Sequence, residues 1–187
     1  MLLWIDLETT GLDPRRDAIL EIALVVTDNR LNEVHAESHV LPYNPSGPHQ
    51  PNDYVHDMHT RNGLWTACAD ALQASEQGVG DDASEIYIKV LESMRRYTEQ
   101  GTAPIAGSTV DFDRNFLREH APALAAHFSH RRLDVSVLGE LAARWAPELW
   151  ANRPKGDAHR ALPDIRGSID LLRYWVANGF VNAGGAL

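Results

Sequence analysis

Asp6 and Glu8 stand two residues apart, interleaved with Trp4, Ile5 and Leu7 near the start of the chain. On a strand, alternate residues share a face, so both carboxylates would point the same way. Two like charges on one face of a buried strand are costly unless a cation or hydrogen bonds offset them. The chemistry that suits such a pair is divalent-metal binding, and an oxygen-only ligand set favours Mg²⁺ or Mn²⁺ over zinc. At least one further carboxylate is needed. Asp113 follows residues 105–110 and opens a helix carrying Phe116 and Leu117. Asp164 begins the last helix, five residues after His159. Each of these has an ordinary explanation alone. Asp is a common helix N-cap, Asp111 competes with Asp113 for that place, and an isolated His is more often a surface or core residue than a catalyst.

The elements that must position these groups are legible in outline. Residues 2–7 form an apolar run, which predicts a strand buried on both faces. Gly11 and Pro14 mark a turn. Residues 18–28 and 33–41 read as further strands, the latter pairing antiparallel. Pro42, Pro45, Pro48 and Pro51 exclude regular helix or central strand from that stretch. A helix is expected within residues 54–73, broken near Arg61 and Gly63, followed by a linker at 75–81. Asp82 caps the next helix with Glu85 as its partner, and Ile86, Val90, Leu91 and Met94 form its apolar face. Then come a short strand at 103–107, a helix from 113, a strand at 132–137, a helix through Trp145, a loop at 151–157 and a helix from Asp164 to Val176. The order predicts one α/β domain with a mixed sheet over residues 1–178, and a Gly-rich tail at 179–187 that frays.

Composition sets the limits. A chain of 187 residues, 44% hydrophobic and 23% charged, has core enough for one domain. The net charge of −9 argues against tracking along nucleic acid. Residues 101–187 carry 10 bases against 9 acids, so a small anionic ligand fits best there. The single cysteine, Cys68, excludes an intramolecular disulfide and a Cys-built zinc site, and points to a reducing, cytoplasmic setting. Neither a signal peptide nor a membrane helix is expected, for want of a basic start and an apolar run of about 18 residues.

Together the residues match a known pattern. IDLETTGLD (Asp6, Glu8), GSTVDFDRNFL (Asp113) and AHRALPDI (His159, Asp164) resemble the DEDD superfamily of 3′-to-5′ exonucleases, and a His five residues before the last Asp is the mark of its DEDDh branch. Within that branch the chain is most similar to the oligoribonucleases, through RRDAILEIALVVTD, MHTRNGL and the long block RRLDVSVLGELAARWAPE. The resemblance implies an RNase H-like mixed five-stranded sheet flanked by helices. It implies two Mg²⁺ or Mn²⁺ ions held by Asp6, Glu8, Asp113 and Asp164, with His159 as general base on a loop whose neighbours Gly156 and Asp157 suit movement. It implies a homodimer acting on short single-stranded RNA and dinucleotides, a substrate that an acidic protein can hold because few phosphates need neutralising.

Substrate-binding residues follow from the same resemblance. Leu12 matches a leucine that wedges between two bases, and His59 a histidine of the same pocket. Thr109 and Ser136 match hydroxyl residues near the substrate, and Arg131 an arginine on its 5′ phosphate. Tyr54 stands where the family often has Trp. His130 stands where it often has a Tyr contributed across the dimer. Asp111 and Phe112 replace the usual Gly–Gln. The runner-up reading is a DEDDh exonuclease on single-stranded DNA, in proofreading or repair.

Overall fold

The N-terminal apolar run forms β1 (Leu2–Thr9), with both its faces largely buried. The computed structural model describes residues 1–47, 51–156 and 159–181. β1 is the middle strand of five. On one side it pairs antiparallel with β2 (Ile19–Thr27), which pairs antiparallel with β3 (Glu33–Val40). On the other it pairs parallel with β4 (Ile105–Gly107), which pairs parallel with β5 (Arg132–Asp134), giving the order β3-β2-β1-β4-β5.

The period-2 alternation of β1 divides the core in two. Leu3, Ile5 and Leu7 pack with Ile22, Leu24 and Val26 against α3 (Ala83–Tyr97), α4 (Asp111–His120) and α5 (Pro122–His127). Trp4 points the other way, with Ala23, Val25 and Ala106, against α6 (Val135–Trp145) and α8 (Ala161–Ala177). Trp4 is fully buried, and its indole donates to Thr27 Oγ1 at 3.0 Å, which satisfies the one polar atom it takes inside. Asp6 and Glu8 share the face of Trp4, and α8 lies on that face.

α1 (Asp53–Arg61) and α2 (Leu64–Glu76) are the two halves of the helix expected in 54–73. Asn62 ends the first and Gly63, at φ +76°, starts the second. Pro42, Pro45 and Pro51 lie outside helix and strand as expected; Pro48 falls outside the described residues. On α3 the Asp82–Glu85 capping box forms, and Ile86, Val90, Leu91 and Met94 are all buried.

Several expectations change: the helix expected from 113 starts at Asp111, and the loop expected at 151–157 begins only after Asn152. The strand expected at 132–137 stops at Asp134, because the Asp134 carboxylate accepts from Ser136 N at 3.0 Å and starts α6 there. The last helix starts at Ala161, so Asp164 lies within its first turn. Residues 178–181 turn back onto the core: Phe180 N and Val181 N both donate to Trp175 O, at 2.9 and 3.1 Å. The fraying expected from residue 179 therefore does not begin there, and residues 182–187 lie outside the described set. Two short helices, α5 and α7 (Pro147–Asn152), have no counterpart among the expected elements, although each opens on a proline suited to a first turn. Trp175 is core, Trp150 packs beside Gly139, and Trp145 is 72% exposed. Among the described residues no helix is long and apolar enough to cross a membrane.

Candidate active site

The site grows from the face of β1 that carries Trp4. Asp6 and Glu8 continue that face past the end of the tryptophan, and Asp164 approaches from the first turn of α8. Carboxylate oxygens of Asp6, Glu8 and Asp164 all lie within 4.8 Å of one another. Asp113 is also buried, and its Oδ1 accepts from Leu7 N at 3.0 Å, which locks α4 to the strand between the two acids.

These carboxyls are held far from their ordinary state. Burial, then the Asp164 and Glu21 carboxylates, push Asp6 up to about 8. Burial, then Asp6, Asp164 and Glu21, push Glu8 up to about 9. Asp113 is raised by burial and by Asp6. A native fold that gathers like charges this way suits a cation in their midst. The nearby guanidinium of Arg160 is engaged elsewhere. It donates to Glu21 through Nε at 2.8 Å and through Nη2 at 3.0 Å. The donor set is all carboxylate oxygen, which fits a hard divalent ion.

Glu21 is a further acid on this face, one that no motif in the sequence singles out. It lies directly opposite Glu8 across β1 and β2, so the two share a face. It is 2% exposed and also accepts from Ser38 Oγ and Ala161 N, at 2.8 and 3.1 Å. Burial pushes its carboxyl up, but the hydrogen bonds from Arg160, Ser38 and Ala161 outweigh it and hold the group below the usual range. The signal was present as a single acid in the otherwise apolar run of residues 18–26.

His159 sits just before α8 with φ +46°, a left-handed conformation uncommon for a residue with a side chain. Its carbonyl accepts a hydrogen bond from Asn62 Nδ2. Gly156 lies outside helix and strand, and Asp157 falls outside the described residues.

The remaining candidates fall into four places. Leu12, on the loop after β1, is 82% exposed, and Tyr54, on α1, is 66% exposed. His59 is fully buried; its Nε2 is 3.1 Å from Thr9 O and 3.9 Å from Glu8 Oε2, and its ring meets Trp65 edge-on. Thr109 and Ser136 are brought together by Asp134, which accepts from Thr109 N, Val110 N, Ser136 N and Ser136 Oγ at 3.0, 3.2, 3.0 and 2.6 Å. His130 and Arg131 are exposed at the opposite, entering end of β5. The unusual Asp111 forms an ion pair with Arg132, and Phe112 packs on Phe116 with ring centroids 4.8 Å apart. Replacing Asp134 with Ala strips three backbone N–H groups of their acceptor. Asp134→Ala should cost about 1–3 kcal/mol in urea unfolding; an unchanged midpoint would show that water replaces the carboxylate fully.

A mixed sheet with acids converging on its middle strand suits metal-assisted hydrolysis. The exonuclease family model (RNase_T) matches residues 3–172, and the chain belongs to that family. Within it, the oligoribonuclease of Haemophilus influenzae is 41% identical over 176 residues, covering 93% of this chain and 92% of that protein. Among solved structures, exonuclease I from Methylocaldum szegediense superposes with a TM-score of 0.65 at 19% identity, covering 99% of this chain and 41% of its own. Exonuclease I of E. coli, in complex with a 5cy-dA13 oligonucleotide, gives 0.63 at 18% identity, covering 94% of this chain and 40% of its own. The chain thus spans about two-fifths of those longer proteins, and the likeness bears out the expected α/β fold.

Proposed function

We propose that the chain is a metal-dependent 3′-to-5′ exoribonuclease that releases nucleoside 5′-monophosphates from short single-stranded RNA and dinucleotides. The convergence of Asp6, Glu8 and Asp164, with His159 just before the same helix, carries this reading. Near-full-length similarity to an oligoribonuclease supports the choice of RNA. Asp6, Glu8, Asp113 and Asp164 would hold two Mg²⁺ or Mn²⁺ ions. When bound, these ions neutralise the scissile phosphate and favour deprotonation of the attacking water. His159 takes the proton from that water as its oxygen attacks phosphorus, and the P–O3′ bond breaks. The 3′ oxygen leaves with the shortened RNA and is protonated by solvent.

Short substrates need few phosphate contacts, which suits the net charge of −9. Leu12 and Tyr54 are exposed apolar and aromatic surfaces available for stacking on bases. His59 would shape that pocket from behind, because its ring is buried. Thr109, Ser136 and Arg131 would receive the 5′ end, with His130 reaching it from a second copy of the chain. The exposed apolar Val137 and Trp145 on α6 support such a homodimer.

Leu12→Ala should raise KM for a dinucleotide about 5–10-fold, or about 1–1.4 kcal/mol, the low end of what stacking on an aromatic ring contributes, because leucine offers only apolar contact. The melting temperature should not move, because this side chain is 82% exposed. An unchanged KM would remove Leu12 from the pocket. To test the function itself, 5′-labelled pentamer RNA and matched DNA would be incubated with Mn²⁺. An RNA ladder shortening one nucleotide at a time supports the reading. Degradation of DNA alone would establish the single-stranded DNA exonuclease instead.

A further inference from the structure

We propose that Asn62 is a positioning residue that sets His159 against the acidic face, acting through a relay from the end of β1 to the backbone of the His159 loop. The inference rests on the reading of His159 as the general base.

The relay begins at Thr9, the residue after Glu8. A carbonyl oxygen only accepts, so the 3.1 Å contact to Thr9 O requires that His59 Nε2 carry the proton. His59 Nδ1 then accepts in the neutral ring, and Asn62 Nδ2 lies 3.5 Å from it. The same amide nitrogen donates to the His159 carbonyl, 97 residues away in sequence. The amide oxygen accepts from Leu64 N at 3.0 Å, which serves the start of α2. Every polar atom of the Asn62 side chain is thereby engaged, and only one orientation of the amide satisfies all three partners.

The position of His159 needs such a hold. At φ +46° the residue sits in a region that costs roughly 1–3 kcal/mol for most side chains and persists only when its surroundings impose it. Contacts from two other elements help to impose it. On the C-terminal side, Glu21 binds the Arg160 guanidinium twice and accepts from Ala161 N. On the His159 peptide itself, Asn62 donates to the carbonyl. Glu21 also acts on the charge of Asp6 and Glu8, so its replacement would disturb metal binding as well. Asn62 is uncharged and touches the loop through its backbone, which makes it the cleaner probe.

The test is a double-mutant cycle on kcat with a dinucleotide and Mn²⁺. Asn62→Ala should lower kcat about 10–100-fold, the scale expected when a catalytic group is displaced by about 1 Å, with KM and the Mn²⁺ dependence unchanged. Asn62→Asp keeps the acceptor for Leu64 N and removes the donor. It should match Asn62→Ala in kcat, and it carries the test if the alanine variant folds poorly. In a His159→Ala background either change should alter kcat less than about twofold, because nothing remains to position. A loss of the same size in both backgrounds, or no loss in the wild-type background, would overturn the inference while the base assignment stands. Undiminished turnover in His159→Ala alone would remove the base assignment, and this inference with it.

Discussion

Asp6→Asn is expected to lower turnover by at least about 10³-fold and, in metal-free protein at pH 9, to raise the melting temperature. The two effects have one cause. Asp6 is placed beside Glu8 and Asp164, with carboxylate oxygens within 4.8 Å, and with Glu21 close by. Without a cation, burial and these neighbours make its charge unwelcome, so its amide isostere relieves the fold. With a cation, that same charge is a ligand, and losing it weakens the metal and the reaction together. Each 1 kcal/mol of relief raises the melting temperature of a chain this size by about 2–4 °C. An inactive variant that is also less stable would show that Asp6 holds the fold together through hydrogen bonds and is no strained ligand.

The second large effect is a stability that depends jointly on pH and metal. Asp6 and Glu8 have ordinary values of 3.8 and 4.5, and the folded protein raises them to about 8 and about 9. An acid whose pKa is raised by folding favours the folded state while it is protonated. That contribution is whole below about pH 4 and is lost as pH climbs through the raised values. Metal-free protein should therefore melt lower at pH 9 than at pH 6. Bound Mn²⁺ displaces those protons, so its stabilisation should widen over the same window. At a hundred times its dissociation constant the ion adds about 2.7 kcal/mol, or about 5–10 °C. Thermal melts with Mn²⁺ or chelator at pH 6, 7.5 and 9 measure both trends. A gap that narrows with rising pH would contradict the assignment of these carboxyls as the metal ligands.

What the sequence shows depends on how locally each feature is determined. Asp6 and Glu8 are legible because strand periodicity alone places them on one face. The Asp82–Glu85 capping box and the apolar face of α3 are equally local, and both form as expected. Residues 135–137 mislead because Val135 and Val137 are β-branched, whereas the Asp134 carboxylate, shared between the starts of α4 and α6, turns the chain into helix there. Asp111 looks like an extra acid beside the metal ligands until the fold supplies Arg132 as its partner. Glu21 and Asn62 lie deepest. Their partners, Arg160 and the His159 carbonyl, are 139 and 97 residues away, and only the closed sheet and the docking of α8 bring them together.

The most direct test mixes a 5′-labelled RNA dinucleotide and heptamer in one reaction and follows both with time, in Mn²⁺ or in chelator. Metal-dependent loss of both RNAs is the expected result, at any ratio of rates. Loss that persists undiminished in chelator, or no loss of either RNA in Mn²⁺, would contradict a metal-dependent exoribonuclease built on Asp6, Glu8, Asp113 and Asp164.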